Sequence, residues 1–150
     1  MRQAQEAADD YHALVERVLT AANDESLSAL DSPIFASLLA ISRSSYFSSP
    51  NRTLWAITDG LEASETARFG QISGDAPPYE VFASQRRFEA VRPRSFEGTH
   101  VNLLLVESVR LPQPGLEHIT YRERDNFWVS YFTANGADTV EMTHLRHGAG

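Results

Sequence analysis

The sequence predicts an α+β domain: two N-terminal helices packed on one face of a six- to seven-stranded, mainly antiparallel sheet. Three observations lead there. Apolar residues recur at helical spacing through residues 1–48, and from residue 52 the period changes to two. The alternating stretches are short and are punctuated by turn-forming pairs such as Asp59-Gly60 and Asn135-Gly136. Helices followed by a run of strands is the pattern of a domain that segregates its helices from an antiparallel sheet. With 150 residues, 42% hydrophobic and 22% charged, the chain can build one core. A single domain over 1–150 is expected, helical over 1–48 and sheet over 52–147.

The elements follow in order. In QAQEAADDYHALVERVLTAAN, Ala8, Tyr11, Leu14, Val15, Val18, Leu19 and Ala22 form one helical stripe, with Glu6, Asp9 and Asp10 toward the end where the helix dipole favours acids. Ser32 followed by Pro33 opens a second helix, IFASLLAIS, which is apolar nearly all round and so expected to be largely buried. RTLWAIT (52–58) is the first strand, Asp59-Gly60 turns the first hairpin, and LEASETARFGQI returns. YEVFAS and RFEAV read as short strands. VNLLLVESV (101–109) is apolar on both faces, which predicts a central strand covered on both sides. EHITYRER, FWVSYFT and DTVEMTHL complete the sheet.

The last three strands define the expected functional surface. Asp125-Asn126 serves as one turn and Ala134-Asn135-Gly136 as a three-residue loop, with Gly136 in the left-handed position. This register gathers Ile119, Tyr121, Trp128, Phe132, Val140 and Met142 toward the core. The opposite face then carries His118, Thr120, Arg122 and Arg124 beside Phe127, Val129 and Tyr131. Such a mixed sheet face suits a small amphipathic or acidic ligand. Trp128 or Tyr131 would meet its apolar part, Arg122 or Arg124 its acidic group, and His118 would sit alongside.

Composition narrows the chemistry. The chain has no cysteine, which removes disulfides, thiolate metal sites and cysteine nucleophiles. It has no lysine either, which removes Schiff-base catalysis, and its all-arginine basic set suggests a GC-rich bacterial genome. A net charge of −7 repels phosphate backbones, so direct nucleic-acid binding is not expected. The acidic N-terminus lacks the apolar core of a signal peptide and no apolar run reaches membrane length, so a cytoplasmic protein is expected. No P-loop, GxGxxG or GxSxG pattern is present, and no cofactor is expected. Nor is a metal site, because His144 and His147 would face opposite sides of a strand. LRHG (145–148) resembles the Arg-His-Gly of histidine phosphatases, where the motif opens the chain. QRRFEAVRPR places Arg86, Arg87, Arg92 and Arg94 in the only locally basic segment. They would clamp a carboxylate or phosphate if they converge, and otherwise pair with the acidic helices as a solvated hairpin.

The leading functional expectation is a non-catalytic bacterial regulatory or small-ligand-binding domain, acting as a homodimer. A second is a cofactor-independent lyase or isomerase acting on an aromatic or enol-type carboxylate. His118 would be its acid/base, Tyr131 a proton donor or oxyanion contact, and Arg122 the carboxylate clamp. A third is an acidic protein-interaction module of chaperone or anti-regulator type. TDGLEASETARFGQISGDAPPYEVFASQ (58–85) is similar in rhythm to a segment of chorismate-lyase-like proteins: Asp-Gly, then Thr, then Gly, then Val-x-x-x-Gln. The resemblance covers 28 of 150 residues and implies an antiparallel sheet with helices to one side. The later arginine and glutamate of that family have no matching positions in this chain.

Overall fold

The computed structural model describes residues 33–67, 69, 78–107 and 121–146. By contact the chain divides into residues 1–30 and 31–150, and everything below concerns the second unit. The first predicted helix, His118 and Ile119 lie outside the described residues.

Among the described residues the sheet has three strands, all parallel, in the order β1 (Arg52–Thr58), β2 (Thr99–Glu107), β3 (Thr139–Arg146). This overturns the expectation of a six- to seven-stranded antiparallel sheet. The reason lies in the connections. Parallel strands need long crossovers rather than tight turns, and the segments 59–98 and 108–138 are those crossovers. Asp59-Gly60 therefore ends β1 instead of turning a hairpin. YEVFAS and RFEAV, expected as short strands, fall instead on α2 (Tyr79–Ala83) and a 3-10 turn (Arg86–Ala90). The predicted helix after Pro33 is α1 (Ile34–Arg43). The stretch apolar on both faces is β2, and it is the central strand.

The largest correction is α3 (Tyr121–Ala134), which occupies the residues read as a strand, turn and second strand. Arg124, Phe127, Trp128, Tyr131 and Phe132 are all buried. Their spacing is three, one, three and one, which is one face of a helix. Gly136 does take the left-handed conformation, at φ +95, but as a helix terminator. The Ala137 N–H donates to the Phe132 carbonyl at 3.0 Å and the Gly136 N–H to that of Thr133 at 3.1 Å, the bond pair of a Schellman motif.

One packed face of the sheet presents Leu54, then Val101, Leu103 and Leu105, then Val140 and Met142. Over it the three helices meet through rings. Phe35 of α1 stacks on Phe82 of α2 at 5.0 Å and lies 5.3 Å from Trp128 of α3, while Phe127, Tyr131 and Phe132 close the cluster edge-on. Such offset and perpendicular pairs add to the stabilisation from burial alone. At the start of β1, Arg52 lies over the Phe47 ring and donates to the carbonyls of Phe47, Ser49 and Glu97 and to the Thr99 hydroxyl, fastening that end of the sheet.

Candidate functional site

The residues expected to share one ligand-binding face are dispersed by α3. Arg122 is exposed, whereas Tyr131 is fully buried. Nine residues apart at 100° each, the two point to opposite sides of the helix. Burial raises the Tyr131 phenol far above its ordinary pKa, so it stays neutral within the ring cluster. The antiparallel face that would have joined Arg122, Arg124, Tyr131 and His118 does not form, because 121–134 is helical.

Arg124 and Trp128 have a definite task instead. The Trp128 indole donates to the Gly60 carbonyl at 2.9 Å, and Arg124 Nη1 donates to the Asp59 carbonyl at 3.0 Å. Arg124, with 1% of its surface exposed, also holds Asp125 Oδ1 through Nε and Nη2 at 3.0 and 2.9 Å. The other oxygen of Asp125 lies 2.7 Å from His144 Nε2 on β3. The network thus joins the ends of β1 and β3 through the first turns of α3. A buried guanidinium is tolerated because charged and carbonyl oxygens surround it. This end of a parallel sheet is a common ligand position. Here Arg124 bonds to Asp125, and Arg124 and Trp128 bond to backbone carbonyls. Chemically it is a clamp that sets the angle between α3 and the sheet.

Glu62 performs a similar function for α1. Pro33 offers no capping side chain, and Glu62 Oε2 accepts the Phe35 N–H at 3.0 Å from 27 residues away. Burial pushes the Glu62 carboxyl up, opposed by the Ser64 hydroxyl and the Phe35 N–H. Glu62 Oε1 and the Tyr131 hydroxyl have no hydrogen-bond partner among the described residues.

A concave surface lies elsewhere among the described residues, between α1 and β1. It is an open, mostly apolar groove of about 210 Å³ lined by Pro33, Ile34, Ser37, Leu38 and Ile41 on one side and by Leu54, Trp55, Ala56 and Thr58 on the other. It arises because α1 is apolar over a wider arc than its neighbours cover. Phe35, Leu38 and Ser42 are buried, but Ile34 is only partly so and Ile41 is exposed. Across the groove Trp55 is 52% exposed. Trp55 and Ile41 were legible as apolar residues of a strand and a helix. What sequence reading missed is that their two elements share an edge. The only available sign was an excess of apolar positions on the second helix beyond one face.

The four arginines of the segment, Arg86, Arg87, Arg92 and Arg94, are exposed, whereas Phe88, Val91 and Pro93 between them are buried. The guanidinium of Arg87 sits over Phe82 at 5.7 Å and that of Arg92 over Phe88 at 5.5 Å, with Arg92 also pairing with Glu89 at 3.0 Å. The Arg94 N–H donates to Ser42 Oγ at 3.1 Å, tying the segment to the end of α1.

Among the described residues no three of His, Asp or Glu are placed to hold a metal ion, and no helix is long and apolar enough to cross a membrane. Compared with protein-family models, curated proteins and solved structures, the chain shows no match.

Proposed function

We propose that this is a non-catalytic regulatory domain of the bacterial cytoplasm that acts by binding a protein partner through the α1/β1 groove. The observation that carries the reading is the groove itself, an apolar depression flanked by an exposed tryptophan and isoleucine. Its size selects the kind of ligand. Pockets that enclose a small molecule run to about 300–1,000 Å³. A groove of about 210 Å³ that stays open to solvent instead matches one or two apolar side chains carried by a larger surface. Partly exposed aromatic anchors beside a shallow apolar slot are the usual centre of a protein interface. The lack of cysteine fits a reducing compartment.

The test is selection of displayed random peptides on the full chain. Binders enriched for an apolar anchor, and lost when Ser37→Arg places a long charged side chain in the groove, support the reading. No enrichment, or binders indifferent to Ser37→Arg, overturns it. Binding by a second copy of the chain, seen as concentration-dependent dimerisation abolished by the same substitution, would make the partner a protomer.

A further inference from the structure

We propose that the partner is acidic: the exposed arginines on the far flank of α1 receive carboxylates from the same segment that fills the groove. This rests on the groove reading and adds the chemistry of the ligand. At 100° per residue, Ile34, Ser37, Leu38 and Ile41 point toward β1, while Arg43 falls on the opposite flank, next in sequence to the Ser42 that accepts the Arg94 N–H. Two contacts hold the segment 86–94 beside α1. Arg94 N–H bonds Ser42 Oγ, and Phe82, beneath Arg87, stacks on Phe35.

Between the groove and the arginines, the outer surface of α1 carries Ala36 and Ala40, both exposed and both small. A chain crossing α1 there meets no bulky side chain. A helix with small outer residues is roughly 10 Å across. An extended segment covers that in about three residues. An apolar anchor in the groove and an acidic residue about three positions away would therefore reach both sites.

The charge pattern gives the sign. Arg43, Arg86, Arg87, Arg92 and Arg94 are all exposed, with Glu89 the acid paired to Arg92. This basic strip stands out in a chain whose net charge is −7. Arg87 and Arg92 are already seated on aromatic faces, Arg87 Nε also donating to Gln85 Oε1 and Arg92 Nη2 to Glu89, so their remaining N–H groups are offered with less conformational freedom left to lose. A nucleic acid would have to bring its phosphates against the surrounding acids, whereas a short acidic segment meets the strip alone.

The experiment uses the peptides selected above, synthesised with a fluorophore and titrated against the full chain. The expected result is Asp or Glu at a fixed offset of about three residues from the apolar anchor. Affinity should fall at least ~10-fold for Arg43→Glu/Arg94→Glu and several-fold between about 0.05 and 0.5 M salt, as screening requires. Arg43→Gln/Arg94→Gln should show an intermediate loss. That variant keeps the result readable if charge reversal disturbs the helix end, which circular dichroism reports. Selected peptides without acids, or affinities unmoved by both arginine variants, overturn the acidic partner while leaving the groove reading intact if Ser37→Arg still abolishes binding. Tighter binding of a single-stranded polynucleotide than of any selected peptide also overturns it.

Discussion

α1 and α3 contribute rings to the same core, yet they differ in what they leave outside. α3 buries Phe127, Trp128, Tyr131 and Phe132 almost completely and turns Arg122, Asn126 and Thr133 to solvent, with Val129, among the described residues, its one exposed large apolar side chain and no part of the groove. α1 buries Phe35 and Leu38 but leaves Ile41 on the surface beside Trp55. The aromatic-rich helix looks like the functional one in the sequence, and the plainer helix holds the groove. Aromatic density marks where burial is strongest, whereas a binding surface is marked by apolar residues that the fold has failed to cover.

Four substitutions separate the two regions, from the largest expected effect to the smallest. Trp128→Ala removes a fully buried indole and its bond to Gly60, and should cost about 3–5 kcal/mol. Chemical denaturation measures it, and a loss below about 1 kcal/mol would refute the structural role given to α3. Gly60→Ala comes next. Gly60 has φ +72, and a methyl group there would stand 2.9 Å from Arg124 Cδ and 3.2 Å from Leu105 Cδ2. A loss of about 2 kcal/mol is expected from the strained backbone and the displaced arginine, read as a lowered melting temperature.

Glu62→Gln probes the α1 cap through pH. Because the Glu62 pKa in the folded protein lies above the ordinary 4.5, the stability conferred by its neutral form is complete below about pH 4.5. It is lost as pH rises through the folded value. Glutamine still accepts the Phe35 N–H and cannot ionise. The variant should therefore be more stable than the parent at neutral pH and lose that lead in acid, because burial disfavours the ionised carboxylate and glutamine does not ionise. Stability curves with equal pH dependence would show that Glu62 does not titrate in this way.

Ser37→Arg should have the smallest effect on folding, within about 0.5 kcal/mol, because the site is exposed and arginine favours helix over serine. Its effect on peptide binding should nonetheless be the largest of the four. A stability loss comparable to that of Trp128→Ala would mean the groove belongs to the core.

Much of the local structure could be read before the fold was known. Pro33 marked the start of α1, RTLWAIT was a strand, the doubly apolar 101–109 predicted a central strand, and DTVEMTHL fell on β3. Strand direction could not be read, because each strand has the same alternation whichever way its neighbour runs. The misreading of α3 has a narrower cause. Aromatic and β-branched residues favour strands in general, and the alternating Arg122-Glu123-Arg124-Asp125 reinforced a period of two. Four rings at 127, 128, 131 and 132 outweigh that preference once tertiary burial is available. The clamp from Arg124 and Trp128 to Asp59 and Gly60 left no trace in the sequence, since it joins residues more than sixty positions apart.

The strand order carries a consequence for how the chain comes to be folded. Among the described residues β2 is the only strand bonded on both sides, and each of its neighbours is reached through a long crossover. No two strands can therefore zip together from a local turn, and every rung of the ladder must first close a loop of dozens of residues. During synthesis β1 emerges before its partner among the described strands, residues 99–107, clears the ribosome, and β3 with its clamp from Asp125 to His144 follows both. The apolar side of β1, including the wall of the groove, is thus displayed by the nascent chain well before the sheet exists.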